Sequence, residues 1–201
     1  RRVRECSVYC EVHPHTLPLG EIRALAPKAI IFTGGPESVY KEHSATYSEE
    51  IFSLGIPILG ICYGSQLMAH KLGGKVRTAP VSEYGRTELE VTDAASALFA
   101  EVPPKSVCWM SHTDYIFEAP AGFRVTARTA DCPVAAMENE AQKLYAVQFH
   151  PEVMHTEYGM KILENFVYRV AHCKGDWQMS SFVQTTVEAL REKIGAGKAL
   201  C

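Results

Sequence analysis

Residues 56–64 have the sequence Ile-Pro-Ile-Leu-Gly-Ile-Cys-Tyr-Gly, and this stretch decides the predicted fold of the 201-residue chain. Its first six residues form a short apolar run, which is typical of a buried strand in a parallel sheet. A helical period follows at once over Tyr63–Leu72 and ends at Gly73-Gly74. The cysteine between strand and helix has a glycine two residues before it and another two residues after it. This is the pattern of a nucleophile elbow, with Cys in place of Ser.

The elbow predicts a reactive thiol at Cys62. A sharp strand-to-helix turn strains the backbone and places the sulfur at the N-terminus of the following helix. There the exposed N–H groups and the helix dipole favour the thiolate. Gly60 and Gly64 avoid clashes in so tight a turn. Taken alone, the pattern is about equally compatible with a buried structural cysteine.

Working outward from the elbow, strand and helix patterns alternate and predict an α/β fold. The final turns of a helix over residues 1–7 precede strands at Val8–Val12 and Lys28–Thr33 and helices at Leu19–Ala26 and Thr46–Leu54. This alternation predicts an open, mostly parallel sheet flanked by helices. Strand-like runs then dominate, and they predict an antiparallel, strand-rich insertion over Lys75–Val91, Val107–Met110 and Phe123–Phe149. Two further helices are predicted at Glu157–Ala171 and Ser181–Ile194.

Two other segments follow predicted strands at the sheet edge where α/β enzymes place their sites. Gly34-Gly35 lets the backbone approach a ligand, so the N–H groups of Gly35 and Tyr63 are candidates for an oxyanion hole. His150 and Glu152 follow the strand that ends at Phe149, and a cysteine nucleophile needs a base and a group that orients it. A simple turn and a surface histidine are the plain alternatives for each segment taken singly.

The segments Gly-Ile-Cys-Tyr-Gly-Ser-Gln (60–66) and Gln-Phe-His-Pro-Glu-Val (148–153) resemble the two signatures of the class I, or triad, glutamine amidotransferases. The resemblance implies that Cys62 is the nucleophile, His150 the acid–base and Glu152 its orienter. It also implies that Gly35 and Tyr63 supply the oxyanion N–H groups. The substrate would then be glutamine.

Three further residues are candidates for binding glutamine in the same pocket. Gln66 lies one turn into the elbow helix and could contact the α-amino or α-carboxylate group. A polar residue near a helix N-terminus is the plain alternative. Ser111 and His112 follow a predicted strand, and the family resemblance implies that their backbone matters more than their side chains.

Tyr63 and the segment Lys174–Trp177 resemble the branch of the family found in GMP synthases. This resemblance implies an amidotransferase domain over 1–172 whose first strand is missing. Residues 173–201 would then be a linker helix and the start, near Lys198–Cys201, of an absent ATP-pyrophosphatase domain. That domain would use XMP, ATP and Mg²⁺ and would form a homodimer, whereas no cofactor is expected in the present domain.

Composition narrows the classes of function. Hydrophobic residues make up 47% of the chain, charged residues 21%, and the net charge is −3. These values are typical of a globular protein and argue against nucleic-acid or membrane binding. The seven cysteines are odd in number and form no CxxC pair, so we expect free thiols, a cytoplasmic location and no metal site.

Two rival functions remain open. A γ-glutamyl hydrolase or another amidotransferase would share Cys62 and His150, but Tyr63 and the segment Lys174–Trp177 argue against both. A non-catalytic regulatory module on the same fold is the other rival. The intact set of three predicted triad residues argues against it.

Overall fold

The computed structural model describes residues 1–195 and 197, without the side chains of residues 179–182. Its strands are β1 (Ile30–Phe32), β2 (Ile58–Ile61), β3 (Lys75–Val91), β4 (Lys105–Glu118), β5 (Arg124–Arg128), β6 (Ala136–Asn139) and β7 (Leu144–Val147). Its α-helices are α1 (Arg2–Glu5), α2 (Leu19–Leu25), α3 (Tyr63–Lys71), α4 (Gly159–Glu164) and α5 (Met179–Ile194). Short 3₁₀ turns lie at Glu49–Ser53, Ala97–Phe99 and Glu140–Gln142.

The seven strands form one mixed sheet in the order β1-β2-β7-β6-β5-β3-β4. Only β1 with β2 and β2 with β7 pair in parallel, and the remaining pairs of the described strands are antiparallel. The α/β class is confirmed, but the prediction of a mostly parallel sheet is wrong. Parallel pairing needs long crossovers, and short turns such as the one between β6 and β7 permit only antiparallel neighbours. The predicted antiparallel insertion therefore supplies most of the same sheet.

The central strands β2 and β7 bury both of their faces. Along β2, Leu59 and Ile61 belong to one core and Ile58 to the other, as the two-residue period of a strand requires. The first core includes Ile162 of α4, and the second includes Met68 of α3. Helices thus cover both faces of the sheet where the elbow is built, which confirms the predicted arrangement there.

Three predicted elements differ from the structure. No strand forms at Val8–Val12, where Val12 is 90% exposed, because no described strand lies beside this segment to share backbone hydrogen bonds. The helix predicted at Thr46–Leu54 is reduced to a 3₁₀ turn. The helix predicted at Glu157–Ala171 begins later and continues as a π-helical turn over Asn165–Val170. The strand predicted near Lys198–Cys201 lies outside the described residues.

Candidate active site

Cys62 occupies the turn between β2 and α3. Its backbone has φ +52° and ψ −109°, a conformation that residues with a side chain rarely adopt. The surroundings fix this conformation: Cys62 N–H donates to the carbonyl of Val147 at 2.8 Å, and Gln66 N–H donates to the carbonyl of Cys62 at 3.1 Å. The predicted elbow is present.

The two glycines around Cys62 are sites of close backbone approach. A Cβ placed on Gly60 would lie 2.6 Å from the carbonyl oxygen of Gly64. A Cβ on Gly64 would collide with the carbonyl oxygen of Phe32 on β1. Both obstacles are backbone atoms, so the helix can pack this closely on the sheet only if both residues lack side chains.

The thiol of Cys62 is buried, with 6% of the residue exposed. Its Sγ lies 3.8 Å from the carbonyl oxygen of Ser111 on β4 and 3.7 Å from Nε2 of Gln148. Because β2 and β7 are paired in parallel with Ile61 opposite Val147, the residues that follow β7 emerge beside the elbow. The sheet register therefore sets which groups surround the sulfur.

His150 and Glu152 form the predicted pair after β7. Nδ1 of His150 lies 2.7 Å from Oε1 of Glu152. The backbone of His150 is held on both sides: its N–H donates to the carbonyl of Trp109 at 3.0 Å, and the hydroxyl of Thr156 donates to its carbonyl at 2.6 Å. The imidazole is thus oriented by a carboxylate on a fixed backbone, as acid–base chemistry requires.

The surroundings favour a protonated His150. The hydrogen bond with the Cys62 side chain and then the one with Glu152 raise the pKa of His150 to about 10, against the opposing effect of burial. Burial raises the pKa of Glu152, but the hydrogen bond from His150 and nearby positive charges outweigh it and leave that pKa lowered. The pair is therefore an imidazolium–carboxylate ion pair beside a sulfur atom, and such a cation favours the thiolate.

Gly35 and Tyr63, the two candidates for an oxyanion hole, contact each other. A Cβ on Gly35 would lie 3.2 Å from Cγ of Tyr63, and the Tyr63 hydroxyl donates to the carbonyl of Ala45. Tyr63 is also the first residue of α3, where backbone N–H groups have no partner within the helix. The tyrosine ring thus supports the glycine loop from below while its own N–H lies at the helix terminus.

A cleft of about 630 Å³ opens above these groups. It falls in the size range of small-molecule sites. All eight predicted site residues line it: Gly35, Cys62, Tyr63, Gln66, Ser111, His112, His150 and Glu152. The structure therefore brings together residues that lie far apart in the sequence.

Two of the three predicted glutamine-binding residues direct polar atoms at protein partners. Gln66 is buried, and its Nε2 donates to the carbonyl of Asp114 at 2.7 Å and to Oε1 of Gln148 at 3.1 Å. His112 is buried, and its Nε2 lies 3.0 Å from Oε2 of Glu83. Ser111 is exposed and turns its carbonyl to the thiol. Contact of these three residues with a substrate stays a prediction.

Sequence reasoning missed two residues that shape the site. Gln148 reaches the sulfur, and Thr156 joins β4 to the histidine loop because its hydroxyl also accepts from Trp109 N–H at 3.0 Å. Gln148 lies two residues before His150, and this spacing could have placed it on the same side of the extended chain. No local pattern marks Thr156, whose role depends on the distant strand β4.

Two other findings concern metals and membranes. Glu83, His112 and Cys132 place one donor atom each within 4.8 Å of one another, although their sequence spacing gave no sign of a cluster and no metal site was predicted. Within the described part of the chain, no helix is long and apolar enough to cross a membrane.

Comparisons with known proteins agree with the geometry of this site. Residues 1–170 match the family model "Glutamine amidotransferase class-I". The whole chain is 63% identical to a GMP synthase [glutamine-hydrolyzing] of Clostridium botulinum (strain Alaska E43 / Type E3) and 59% identical to one of Alkaliphilus metalliredigens (strain QYMF). The chain spans 39% of the length of each of these relatives.

Solved structures show the same fold. One GMP synthase component, from Thermoplasma acidophilum, is 28% identical and superposes with a TM-score of 0.78 over 92% of this chain and 88% of the other. A glutamine amidotransferase from Thermotoga maritima, at 20% identity, shares the fold with a TM-score of 0.63 over 79% of this chain and 82% of the other. With the family model matched over most of its length, the chain belongs to the class I glutamine amidotransferases.

Proposed function

We propose that this chain hydrolyses glutamine to glutamate and ammonia, with Cys62 as the nucleophile. One observation carries the proposal: the strained elbow thiol and the His150–Glu152 ion pair line one cleft in a member of the amidotransferase family. A buried structural cysteine would need neither a glycine on each side of it nor a charged histidine beside it.

In the proposed reaction, the Cys62 thiolate attacks the side-chain amide carbon of glutamine. The C–N bond breaks as the His150 imidazolium gives its proton to the leaving nitrogen, and ammonia departs. Neutral His150 then takes a proton from water, whose oxygen attacks the thioester and releases glutamate. The last proton returns to His150 and the thiolate is restored. Glu152 holds the imidazole in place throughout, as the third member of a triad does.

The tetrahedral oxyanion would be bound by the N–H groups of Gly35 and Tyr63. Support comes from their positions: both residues line the cleft, and Tyr63 opens α3 immediately after the nucleophile. Such donors act where charge develops, and losing one typically costs roughly 100- to 1000-fold in rate. We further propose that Gln66, Ser111 and His112 form the wall that holds the glutamine α-substituents, through Ser111 directly and through the backbone held by the other two.

The wider role that we propose is supply of ammonia for the conversion of XMP to GMP. Support comes from the GMP synthases to which the whole chain is 63% and 59% identical. ATP and Mg²⁺ would act in a synthetase part, joined through the segment after residue 172 or carried on a separate polypeptide. A cytoplasmic location and a homodimer formed by that part complete the proposal.

Covalent trapping with 6-diazo-5-oxo-norleucine, a glutamine-like electrophile, tests the nucleophile. The chain is expected to gain one adduct on Cys62 and to lose glutaminase activity in proportion. Cys62→Ala should abolish both, whereas Cys6→Ala, a change at another buried cysteine, should retain both. Labelling that survives Cys62→Ala, or glutaminase activity in that variant, would overturn the proposal.

A second assay separates the wider role from its rivals. Glutamine labelled with ¹⁵N in the amide should yield ¹⁵N-GMP when the chain is joined to the synthetase part and given XMP, ATP and Mg²⁺. A γ-glutamyl hydrolase would instead cleave γ-glutamyl peptides faster than glutamine. Adduct formation without any ¹⁵N transfer would retain the glutaminase and reject the GMP role.

A further inference from the structure

A second cluster of reactive side chains lies behind the cleft. Glu83 on β3 and His112 on β4 stand directly opposite each other, just beyond an irregularity in the pairing of the two strands. Cys132 lies in the turn between β5 and β6. All three residues are at least nine-tenths buried, and their donor atoms fall within 4.8 Å of one another. None of the three belongs to the proposed triad.

The hydrogen bonds of this cluster leave one polar atom unused. Glu83 receives a hydrogen bond from the hydroxyl of Thr129 at 2.7 Å and lies 3.0 Å from Nε2 of His112. Nδ1 of His112 is fully buried and has no hydrogen-bond partner among the described residues. A buried nitrogen without a partner is uncommon in folded proteins, and a bound ion is one of its physical explanations.

The turn that carries Cys132 is already shaped for the cluster. The hydroxyl of Thr129 accepts from Cys132 N–H at 2.9 Å while it donates to Glu83. This one side chain therefore links the turn to the carboxylate. The sulfur is held near Glu83 by the protein itself, before any ligand arrives.

Charge indicates which kind of ligand would fit. Burial, and next the nearby Glu83 carboxylate, raise the pKa of Cys132 far above its usual range, so the unliganded site holds a neutral thiol beside a buried carboxylate. A divalent cation would reverse this balance because it neutralises one thiolate and one carboxylate together. Binding would form a metal–sulfur bond and release the Cys132 proton to solvent.

We propose that Glu83, His112 and Cys132 form a binding site for a thiophilic divalent cation, with Zn²⁺ as the best match. A set of sulfur, nitrogen and oxygen donors suits Zn²⁺, whereas Mg²⁺ and Ca²⁺ prefer oxygen donors alone. Three protein ligands leave one tetrahedral position for water. The bound ion would tie the paired strands β3 and β4 to the β5–β6 turn, adjacent to Ser111.

Cobalt(II) is the probe that tests this site, because a cobalt–thiolate bond gives a near-ultraviolet charge-transfer band. The titration uses the Cys62→Ser protein, so that the thiol beside His150 cannot supply the band. The expected result is a band that saturates at one equivalent, is lost on the further change Cys132→Ala and is retained on Cys6→Ala. Absence of the band in Cys62→Ser, or its persistence in Cys62→Ser/Cys132→Ala, would overturn the proposal.

Zn²⁺-dependent unfolding gives a test that does not need the Cys132 variant to fold. In Cys62→Ser protein, the melting temperature should rise with the logarithm of Zn²⁺ concentration. Glu83→Gln should abolish the rise, and His13→Ala, at the exposed pair of His13 with Glu11, should preserve it. A melting temperature that Zn²⁺ leaves unchanged, or a rise that survives Glu83→Gln, would contradict the site.

Discussion

The charge of His150 depends on two neighbouring side chains, and Glu152 is the one that can be changed without removing the nucleophile. The pKa of His150 is raised from 6.5 to about 10, so the stability it contributes is complete below about pH 6.5 and is lost as pH rises through about 10. The pKa of Glu152 is lowered, so its contribution is present above its ordinary value and is lost as pH falls through the folded pKa. Glu152→Gln should therefore destabilise the protein most between about pH 4.5 and 6.5.

Urea unfolding of the wild-type and Glu152→Gln proteins from pH 5 to 10 measures this difference. It should shrink steadily above pH 6.5. Glu90→Gln is the matched control, since Glu90 is paired with Arg128 on the exposed surface and a guanidinium does not titrate in this range. A difference for Glu152→Gln that stays constant across these pH values would contradict the assigned ion pair.

Gly64 offers a second test at the level of one residue. Gly64→Ala places a methyl group against the carbonyl of Phe32, and because that oxygen belongs to a strand backbone it cannot move aside cheaply. We expect a loss of about 1–3 kcal/mol in unfolding free energy and a large loss of glutaminase activity. Gly20→Ala, in α2 with nothing within 4 Å of the added carbon, should be neutral or stabilising. Equal effects of the two changes would refute the close approach.

At the level of elements, two tyrosines hold the long segment between β1 and the 3₁₀ turn at Glu49–Ser53. The hydroxyl of Tyr63 donates to Ala45, and the hydroxyl of Tyr40 donates to Oδ1 of Asp114 at 3.0 Å. This segment begins with the Gly34-Gly35 loop. The oxyanion candidate Gly35 is therefore positioned by hydrogen bonds that lie outside its own loop.

Tyr40→Phe should loosen this segment without unfolding the protein. Loss of one hydrogen bond costs about 0.5–1.5 kcal/mol, so we expect faster amide exchange over residues 34–45 and a severalfold higher KM for glutamine. Tyr9→Phe removes an exposed hydroxyl that contacts Glu11 and should leave both quantities unchanged. Unaltered exchange in Tyr40→Phe would show that the contact with Asp114 does not restrain the loop.

Sequence patterns predicted elements well where local physics determines them. The buried runs that became β1, β2 and β7 and the elbow helix α3 follow from apolar period and glycine position. The Val8–Val12 segment alternates like a strand but lacks a partner, which no local pattern can reveal. The inward turn of His112 and Gln66 has the same origin, because their partners Glu83 and Asp114 come from other elements.

For the whole molecule, stability depends on the two cores that lie on opposite faces of the sheet. Phe166 is fully buried in the core that also holds Leu59 and Ile61, and its ring meets that of Tyr145 edge-on at 6.3 Å. Phe166→Ala should lower the free energy of unfolding by about 3–5 kcal/mol. Val183→Ala, on the half-exposed face of α5, should change it by less than ~0.5 kcal/mol. Urea denaturation followed by tryptophan fluorescence compares the two, and equal effects would contradict the assigned core.

The backbone of Cys62 also sets a trade-off between durability and activity. A residue with a side chain at φ +52° and ψ −109° raises the energy of the folded state by about 1–3 kcal/mol, and glycine relieves this strain. Cys62→Gly should therefore melt at a higher temperature than Cys62→Ala, although neither variant reacts. A lower melting temperature for Cys62→Gly would contradict this. Selection for heat tolerance alone would thus act against the nucleophile, and the elbow persists only where ammonia production is required.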